Sequence, residues 1–160
     1  MYLRTVFLGL FLFVNLSADI VGEAKVTDGD TIIINDIRIR FTGSDAPESY
    51  FFGKTQTCLD GKGLEWECGN AATQKLKELI NNQTVRCTDE GQDRYGRTLG
   101  ICYVGTLDLQ AEMVKSGMAV AYLRYSDRYE KEQNYAKKVK AGMWGGEFKQ
   151  PEVWRRENRN

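Results

Sequence analysis

Residues 26–48, which read VTDGDTIIINDIRIRFTGSDAPE, decide the fold that the sequence predicts. The β-branched residues 32–34 favour a strand, and Asn35-Asp36 suits a two-residue hairpin turn. After this turn, apolar residues alternate with Arg38 and Arg40. Because successive side chains of a strand point to opposite faces, the apolar side chains are buried on one face and both arginines lie on the other. The stretch therefore predicts a hairpin with two arginines on one face.

Two acidic turns flank this hairpin, DGDT at 28–31 and DAPE at 45–48. A DGDT turn alone is often no more than a hairpin turn. Carboxylates, however, bind hard cations such as calcium through oxygen, and guanidinium groups bind phosphate at two points. Acidic turns beside Arg38 and Arg40 therefore indicate the metal and arginine chemistry that phosphodiester cleavage uses. A third segment, DRYGR at 93–97, has the ordinary alternative of a solvated hairpin tip.

Outward from this stretch, hydrophobic periodicity predicts three helices and several more strands. The helices are expected at about residues 70–81, 108–116 and 127–141, and the strands at about 84–88, 98–104 and 119–123. Residues 50–69, with four glycines and two cysteines, are expected to form an irregular loop. In this order of elements, strands come first and are followed by strands mixed with helices. The order predicts a small barrel with helices packed on it, or another α+β arrangement.

The composition divides the chain into three parts. Residues 1–18 contain the apolar run VFLGLFLFV, which is too short to cross a bilayer and is typical of a cleaved signal peptide; the alternative is a buried first strand. Residues 19–148 are the expected folded domain, and residues 149–160 a charged, loose C-terminal tail. We therefore expect a secreted or periplasmic monomer that has no stable membrane association after signal cleavage.

Four cysteines, an even number in an exported chain, favour two disulfides with three possible connectivities. Cys87 ends one predicted strand and Cys102 lies in the next, so antiparallel pairing of these strands would bring the two within bridging distance. Cys58 and Cys68 then close the glycine-rich loop. A zinc site is a weaker interpretation, since the sequence has neither a CxxC pair nor a histidine to complete one.

The composition also restricts the chemistry. The absence of histidine from the sequence excludes Ser-His-Asp triads, Cys-His pairs, HExxH metalloproteases and histidine-based nucleases. Charge is balanced, with 22 Lys and Arg against 22 Asp and Glu, whereas proteins that hold nucleic acid by general electrostatics usually have a basic excess. Any phosphate binding must therefore come from a few well-placed arginines.

Five segments occur together in the order and spacing of one known family. They are VTDGDT (26–31), RIRFTGSDAPE (38–48), DRYGR (93–97), MVKSGMAVAY (113–122) and AGMW (141–144). On these segments the sequence closely resembles the staphylococcal nuclease family. The resemblance implies a five-stranded OB-fold barrel with three packed helices. It also implies a calcium-dependent endonuclease that hydrolyses phosphodiester bonds of DNA, RNA or both, with water as the nucleophile.

The resemblance further implies roles for individual residues. Those expected to hold the metal are Asp30, Asp45 and the backbone carbonyl of Ala46, where the family usually has threonine. Those expected in catalysis are Glu48, which positions or deprotonates the attacking water, and Arg40 and Arg97, which stabilise charge on the phosphate. Those expected to contact the nucleotide are Tyr95 and Tyr122.

Several alternatives stay open on the sequence alone. For Tyr122 the alternative is core packing, and either Arg124 or Tyr125 replaces the next tyrosine of the family. The aromatic residues of loop 50–69 either pack beneath the loop or extend the stacking surface. For the whole chain, the competing functions are a catalytically inactive OB-fold module that binds nucleic acid and a structural protein of the envelope. The presence of all five expected metal and catalytic side chains favours the nuclease.

Overall fold

The computed structural model describes residues 18–159, so the expected signal peptide lies outside the described residues except for Ala18. The strands are β1 (Ile20–Gly22), β2 (Lys25–Asp28), β3 (Thr31–Ile34), β4 (Ile37–Phe41), β5 (Ser44–Asp45), β6 (Cys58–Leu59), β7 (Glu65–Trp66), β8 (Val85–Cys87), β9 (Thr98–Gly100), β10 (Cys102–Val104), β11 (Leu107–Asp108) and β12 (Val120–Ala121). The helices are α1 (Cys68–Ile80), α2 (Leu109–Lys115), α3 (Glu130–Val139) and α4 (Pro151–Asn158), with a 3-10 turn at Gly142–Gly145. Across residues 18–159, none of the helices is long and apolar enough to cross a membrane.

The predicted hairpin is the centre of one four-stranded sheet, in the order β2-β3-β4-β9. Its turn residues Asn35 and Asp36 both have positive φ, 49° and 63°, as the tight two-residue turn requires. In β4, Ile39 and Phe41 are buried and Arg38 is exposed, as the alternation predicts, whereas Ile37 at the start of the strand is exposed. β9 lies parallel to β4, with Leu99 opposite Arg40.

A second four-stranded sheet has the order β1-β8-β10-β11, and two-stranded pairs are formed by β5 with β12 and by β6 with β7. The predicted α+β, OB-like architecture is confirmed. The hydrogen bonds of the described strands define these separate sheets rather than one closed five-stranded ring. The three predicted helices are present as α1, α2 and α3, with ends shifted by one to three residues.

The sheets and helices enclose one main hydrophobic core. Its members come from the hairpin, from the second sheet and from one face of each of α1 and α2: Ile32, Ile34, Ile39, Phe41, Ala72, Leu76, Val85, Val104, Leu109, Met113 and Val114. A smaller cluster lies under the cysteine-bearing loop and contains Cys58, Cys68, Val120 and Met143, with Trp66 packed against it. Burying each such aliphatic side chain contributes about 1.5–3 kcal/mol, so this core fixes the strands that carry the acidic turns.

Residues 50–69 are more ordered than the sequence indicates. The expectation of an irregular loop is wrong, because β6 and β7 form a small hairpin and α1 already begins at Cys68. Of the aromatic residues in this segment, some pack beneath the loop and others are exposed, so both alternatives left open by the sequence occur. Trp66 packs beneath the loop, Tyr50 and Phe52 are exposed, and Phe51 contacts Trp154 with ring centroids 6.2 Å apart.

The C-terminal segment also differs from its prediction. Residues 149–160 were expected to be loose, but α4 forms there and packs on the domain. Pro151 is buried at the first helical position, where its fixed φ favours a helix start. Glu152 lies in the first turn and Arg155 in the last, which suits the helix dipole. The contacts of Trp154 and Arg155 then hold this short helix against the loop and the acidic turns.

The structure joins Cys58 to Cys68 and Cys87 to Cys102. The second pair is formed across neighbouring strands, since Cys87 and Cys102 are opposite each other in the antiparallel β8–β10 register. These are the two pairs that the strand argument predicts.

We expect peptide mapping of the unreduced protein to find only these two cystine peptides. Replacing Cys58 and Cys68 together by serine should lower the free energy of unfolding by about 2–3 kcal/mol, because a short covalent loop is released. Denaturant unfolding with and without the replacements measures this. A cystine peptide joining Cys58 to Cys87 or Cys102 would contradict the pairing.

Candidate active site

The two predicted metal ligands converge on one arginine. Arg40 donates from Nη1 to Oδ1 of Asp30 at 2.5 Å and from Nη2 to Oδ1 of Asp45 at 2.6 Å. Both carboxylates are about 99% buried, and the exposed fraction of the Arg40 side chain is 13%. The hairpin produces this convergence, because Asp30 precedes β3, Arg40 lies opposite Thr31 on β4, and β5 ends at Asp45.

A second arginine reaches the same cluster from the far end of the chain. Arg155 of α4 donates from Nη2 to Oδ2 of Asp45 at 2.9 Å and from Nη1 to Oε1 of Glu48 at 2.7 Å. Asp45 therefore lies between two guanidinium groups, one on each carboxylate oxygen. This arrangement neutralises buried carboxylates that would otherwise be costly to remove from water.

The loop that holds Glu48 is fixed by contacts with Gln56 and with the start of α1. Gln56 is fully buried; its backbone N–H donates to the Glu48 carbonyl at 2.8 Å, and its side-chain oxygen accepts from the Glu48 N–H at 3.4 Å. Gly69, at the start of α1, lies against the same segment so closely that a Cβ there would be 1.9 Å from the Glu48 carbonyl oxygen. Only glycine fits this contact, which holds the end of the second acidic turn, with Glu48, against α1.

The environment of Glu48 favours its protonated form. Burial, followed by the negative charges of Asp30 and Asp28, raises the pKa of Glu48 from 4.5 to about 7, while Arg155 opposes this rise. Burial and the charge of Asp30 also raise the pKa of Asp28, whose Oδ1 accepts from the Ser49 N–H at 3.1 Å. A carboxylate with a pKa near neutrality can accept a proton from a water molecule, so Glu48 has the property of a general base.

The cluster has the donors that a hard divalent cation prefers. Asp30 and Asp45 each direct an oxygen at the same positively charged group, the Arg40 guanidinium, so both carboxylates can share one cation. In residues 18–159, no group of three or more acidic, cysteine or histidine side chains is arranged as a metal centre. Two carboxylates with a backbone carbonyl and waters would still fit calcium, which accepts flexible oxygen coordination. Ala46 lies in the cluster through its N–H, which donates to Asp30 at 2.8 Å, and the role of its carbonyl stays a prediction.

The structure does not bring Arg97 into this cluster. Its guanidinium pairs with Asp93, four residues earlier in the same turn, at 2.7 Å. Tyr95 is exposed in that turn, with the guanidinium groups of Arg94 and Arg97 at 5.1 and 5.7 Å from its ring centroid. Since β9 follows the turn and pairs with β4, the turn lies at one end of the strand that carries Arg40.

Tyr122 lies at the edge of the cluster, directly after β12. β12 pairs with β5, so that Val120 is opposite Asp45, and the Tyr122 N–H donates to the Gly43 carbonyl at 2.9 Å. Burial and the nearby charges of Asp45 and Glu152 raise the pKa of Tyr122 to about 12. Tyr125 packs edge-on against Tyr122 with centroids 4.7 Å apart and is exposed. Tyr125, rather than Arg124, therefore extends the aromatic surface.

The sequence interpretation missed two contributors to the site, Arg155 and Gln56. A signal for the helix that carries Arg155 was available, since proline, glutamate and two arginines occur in the order that favours a short helix. Its docking site was not readable, because Arg155 and its two carboxylates are 107 and 110 residues apart in sequence. Gln56 gives no sequence signal of its burial.

The pKa of Glu48 predicts how stability depends on pH in calcium-free buffer. Between pH 4.5 and about 7, Glu48 keeps its proton in the folded state and loses it in the unfolded state. Protonation of Glu48 therefore adds to the free energy of unfolding in full below pH 4.5, and this addition is lost as the pH rises through 7. The free energy of unfolding of Glu48→Gln, minus that of the wild type, should therefore increase by roughly 2–3 kcal/mol across this window. Urea unfolding at several pH values measures the difference. The exposed Glu23→Gln is the control, and an equal trend in both variants would contradict the assignment.

Comparison with known proteins matches the chain to one family model and to several relatives. The family model for "Staphylococcal nuclease homologue" matches residues 38–146. The chain is 34% identical to a micrococcal nuclease of Shigella flexneri, over 99% of this chain and 94% of that protein. It is 33% identical to a thermonuclease of Staphylococcus intermedius, over 82% of each chain. The chain is 36% identical to a succinoglycan biosynthesis protein, ExoI, of Rhizobium meliloti. That match covers 78% of this chain and 64% of the length of the Rhizobium protein.

The matched residues include β4 with Arg40, the second acidic turn and the turn of Arg97, and the relatives cover most of the described domain. The chain therefore belongs to the staphylococcal nuclease homologue family.

Proposed function

We propose that this protein is an exported, calcium-dependent nuclease that hydrolyses phosphodiester bonds of DNA, RNA or both by attack of water. The observation that carries the proposal is the convergence of Asp30, Arg40, Asp45 and Glu48 in one buried cluster. Relatives named micrococcal nuclease and thermonuclease support the same reaction class. Asp30, Asp45 and the Ala46 carbonyl would hold the calcium ion, whose chemistry is to draw charge from a phosphate oxygen and to orient water.

The residues of the chain would divide the remaining work. Glu48, buried and with a pKa near neutrality, would accept a proton from the attacking water or hold that water in line. Arg40 would grip a phosphate oxygen and stabilise the negative charge that accumulates in the transition state. Arg97 would add a second positive charge after leaving Asp93, because the turn that carries both residues is solvent-accessible.

The nucleotide-binding surface would use aromatic rings. Tyr95, which is exposed, lies in the turn before β9, the neighbour of β4. Tyr122, which is half-buried, follows β12, the neighbour of β5, and is extended by the exposed Tyr125. Stacking of one base on an aromatic ring contributes about 1–3 kcal/mol and tolerates any sequence. A balanced net charge is compatible with this mode, since binding depends on few contacts and not on a general basic field.

Export is supported by the two disulfides, because such bonds persist in oxidising compartments. Residues 1–18 would be the cleaved signal, and the mature protein would work as a secreted or periplasmic monomer.

A binding module without catalysis is the second candidate. Two observations favour it: Arg97 is paired with Asp93, and both oxygens of Asp45 are paired with arginine. Cleavage assays separate the two candidates, since a module of this kind would bind oligonucleotides and leave them intact in every metal.

One prediction of the proposed function concerns the metal. Cleavage of a fluorescent oligonucleotide should require calcium and stop when a chelator is added, because the oxygen donors of Asp30 and Asp45 suit a large and flexible ion. Magnesium, which requires a tighter octahedron, should give much lower turnover. Full activity in chelator would refute the metal assignment, and equal turnover in magnesium would refute only the preference for calcium.

Another prediction assigns different work to Glu48 and Arg40. Glu48→Gln should lower kcat by about 100-fold or more with nearly unchanged oligonucleotide affinity, because Glu48 acts on water. Arg40→Ala should weaken binding and lower kcat together, because the guanidinium grips phosphate in the ground state and more strongly in the transition state. Single-turnover cleavage and fluorescence anisotropy measure the two quantities.

Arg38→Ala is the matched control, since Arg38 is on the same strand but exposed, and it should change both quantities little. Arg40 is a buried partner of two carboxylates, so its removal costs about 3–5 kcal/mol, and circular dichroism must first establish that each variant folds. Arg40→Lys retains the charge without the two-point geometry and should still lose most of the turnover. Wild-type cleavage by folded Glu48→Gln would contradict the assignment.

A further inference from the structure

The oxygens of the two proposed metal ligands already have donors. In Asp30, Oδ1 accepts from Arg40 at 2.5 Å and Oδ2 from the Ala46 N–H at 2.8 Å. In Asp45, Oδ1 accepts from Arg40 at 2.6 Å and Oδ2 from Arg155 at 2.9 Å. In Asp45 both oxygens are therefore paired with guanidinium groups, so a cation that binds Asp45 competes with an arginine for the same carboxylate.

The two arginines are not equally exchangeable. Arg40 lies on β4, whose backbone is paired with β3 on one side and with β9 on the other, so the position of Arg40 is fixed by the sheet. Arg155 is on α4, which has eight residues and follows all the strands, so it can leave the cluster while the sheets and the core stay intact. Arg155 is therefore the cation that a metal would displace.

α4 is held over the site by contacts on two sides. On one side, Trp154 contacts Phe51, and the Gln56 side chain donates to the Lys149 carbonyl at 2.8 Å. On the other side, Glu152 pairs with Arg124 at 3.0 Å, two residues after Tyr122. The docked helix thus spans from the cysteine-bearing loop to the aromatic surface, with Arg155 directed inward to Glu48 and Asp45.

We propose that α4 is an inhibitory cap, in which Arg155 competes with the divalent cation for Asp45 and with the attacking water for Glu48. The inference rests on the proposed metal site. Because two ligands that exclude each other are linked reciprocally, docking of α4 weakens cation binding, and cation binding loosens α4. The enzyme is active when α4 has left the cluster.

Calcium affinity, measured by titration calorimetry without nucleic acid, tests the competition. Arg155→Ala should bind calcium about tenfold more tightly than the wild type, within the 5–150-fold range that is typical of coupled sites. Trp154→Ala should also tighten binding, since it weakens docking but leaves Arg155 in the chain. Arg156→Ala is the matched control, because it removes an equal charge from the next residue, and across residues 18–159 no ion pair joins Arg156 to the cluster.

Hydrogen exchange of the α4 amides provides a second readout in the wild-type protein. Calcium should speed exchange in residues 151–158 while leaving α1 protected. Equal calcium affinity of the wild type and Arg155→Ala, or exchange in α4 that calcium does not change, would overturn the cap. Slower cleavage by Arg155→Ala with unchanged calcium affinity would also overturn it, and would make Arg155 part of the catalytic site.

The same experiments separate failure of the cap from failure of the proposed function. If no variant binds calcium, the metal site and the cap are both wrong. If all variants bind calcium equally and the wild type cleaves, only the cap is wrong. If the affinities change as expected but nothing is cleaved, the cap stands as a property of the cation site and the nuclease activity fails.

Discussion

The site depends on the ion pairs that Arg40 makes with Asp30 and Asp45. Two carboxylates that are removed from water must have cationic partners, and losing one partner of such a buried pair typically costs about 3–5 kcal/mol. The hairpin supplies that partner locally, since Thr31 and Arg40 are opposite each other, Asp30 directly precedes β3, and Asp45 ends β5, the next strand after β4. The same geometry that stabilises the fold therefore assembles oxygen donors and a guanidinium group, which are the components needed to bind a cation and a phosphate.

The ion pairs that stabilise the metal-free protein use the same carboxylate oxygens as the proposed metal site. The metal-free and the metal-bound protein therefore require different partners for these oxygens. Arg40 is fixed by the sheet and remains beside any bound cation, where it is available to phosphate. Arg155 comes from a short helix and pairs with two carboxylate oxygens that Arg40 does not contact, one of Asp45 and one of Glu48. In the resting state it is therefore Arg155 that occupies the positions which hydrolysis requires.

Much of the fold and of the site could be predicted from the sequence because the signals are local. Alternation in β4, the Asn35-Asp36 turn and the two acidic turns place Asp30, Arg40 and Asp45 within 16 consecutive residues. The Cys87–Cys102 pair followed from two neighbouring strands. Side-chain partners were less predictable: the DRYGR turn locates Arg97, but not its pairing with Asp93. The role of α4 could not be predicted, because charged residues in a terminal segment resemble a solvated tail until Trp154 and Arg155 find partners about 100 residues away.

The measurement that tests this account most directly is a crystal structure of the protein with calcium and a non-cleavable nucleotide bisphosphate. We expect calcium between Asp30 and Asp45, a phosphate on Arg40, and Arg155 displaced from Asp45. Binding of the nucleotide elsewhere, with no calcium at the two aspartates and with both arginines still paired as they are here, would contradict it.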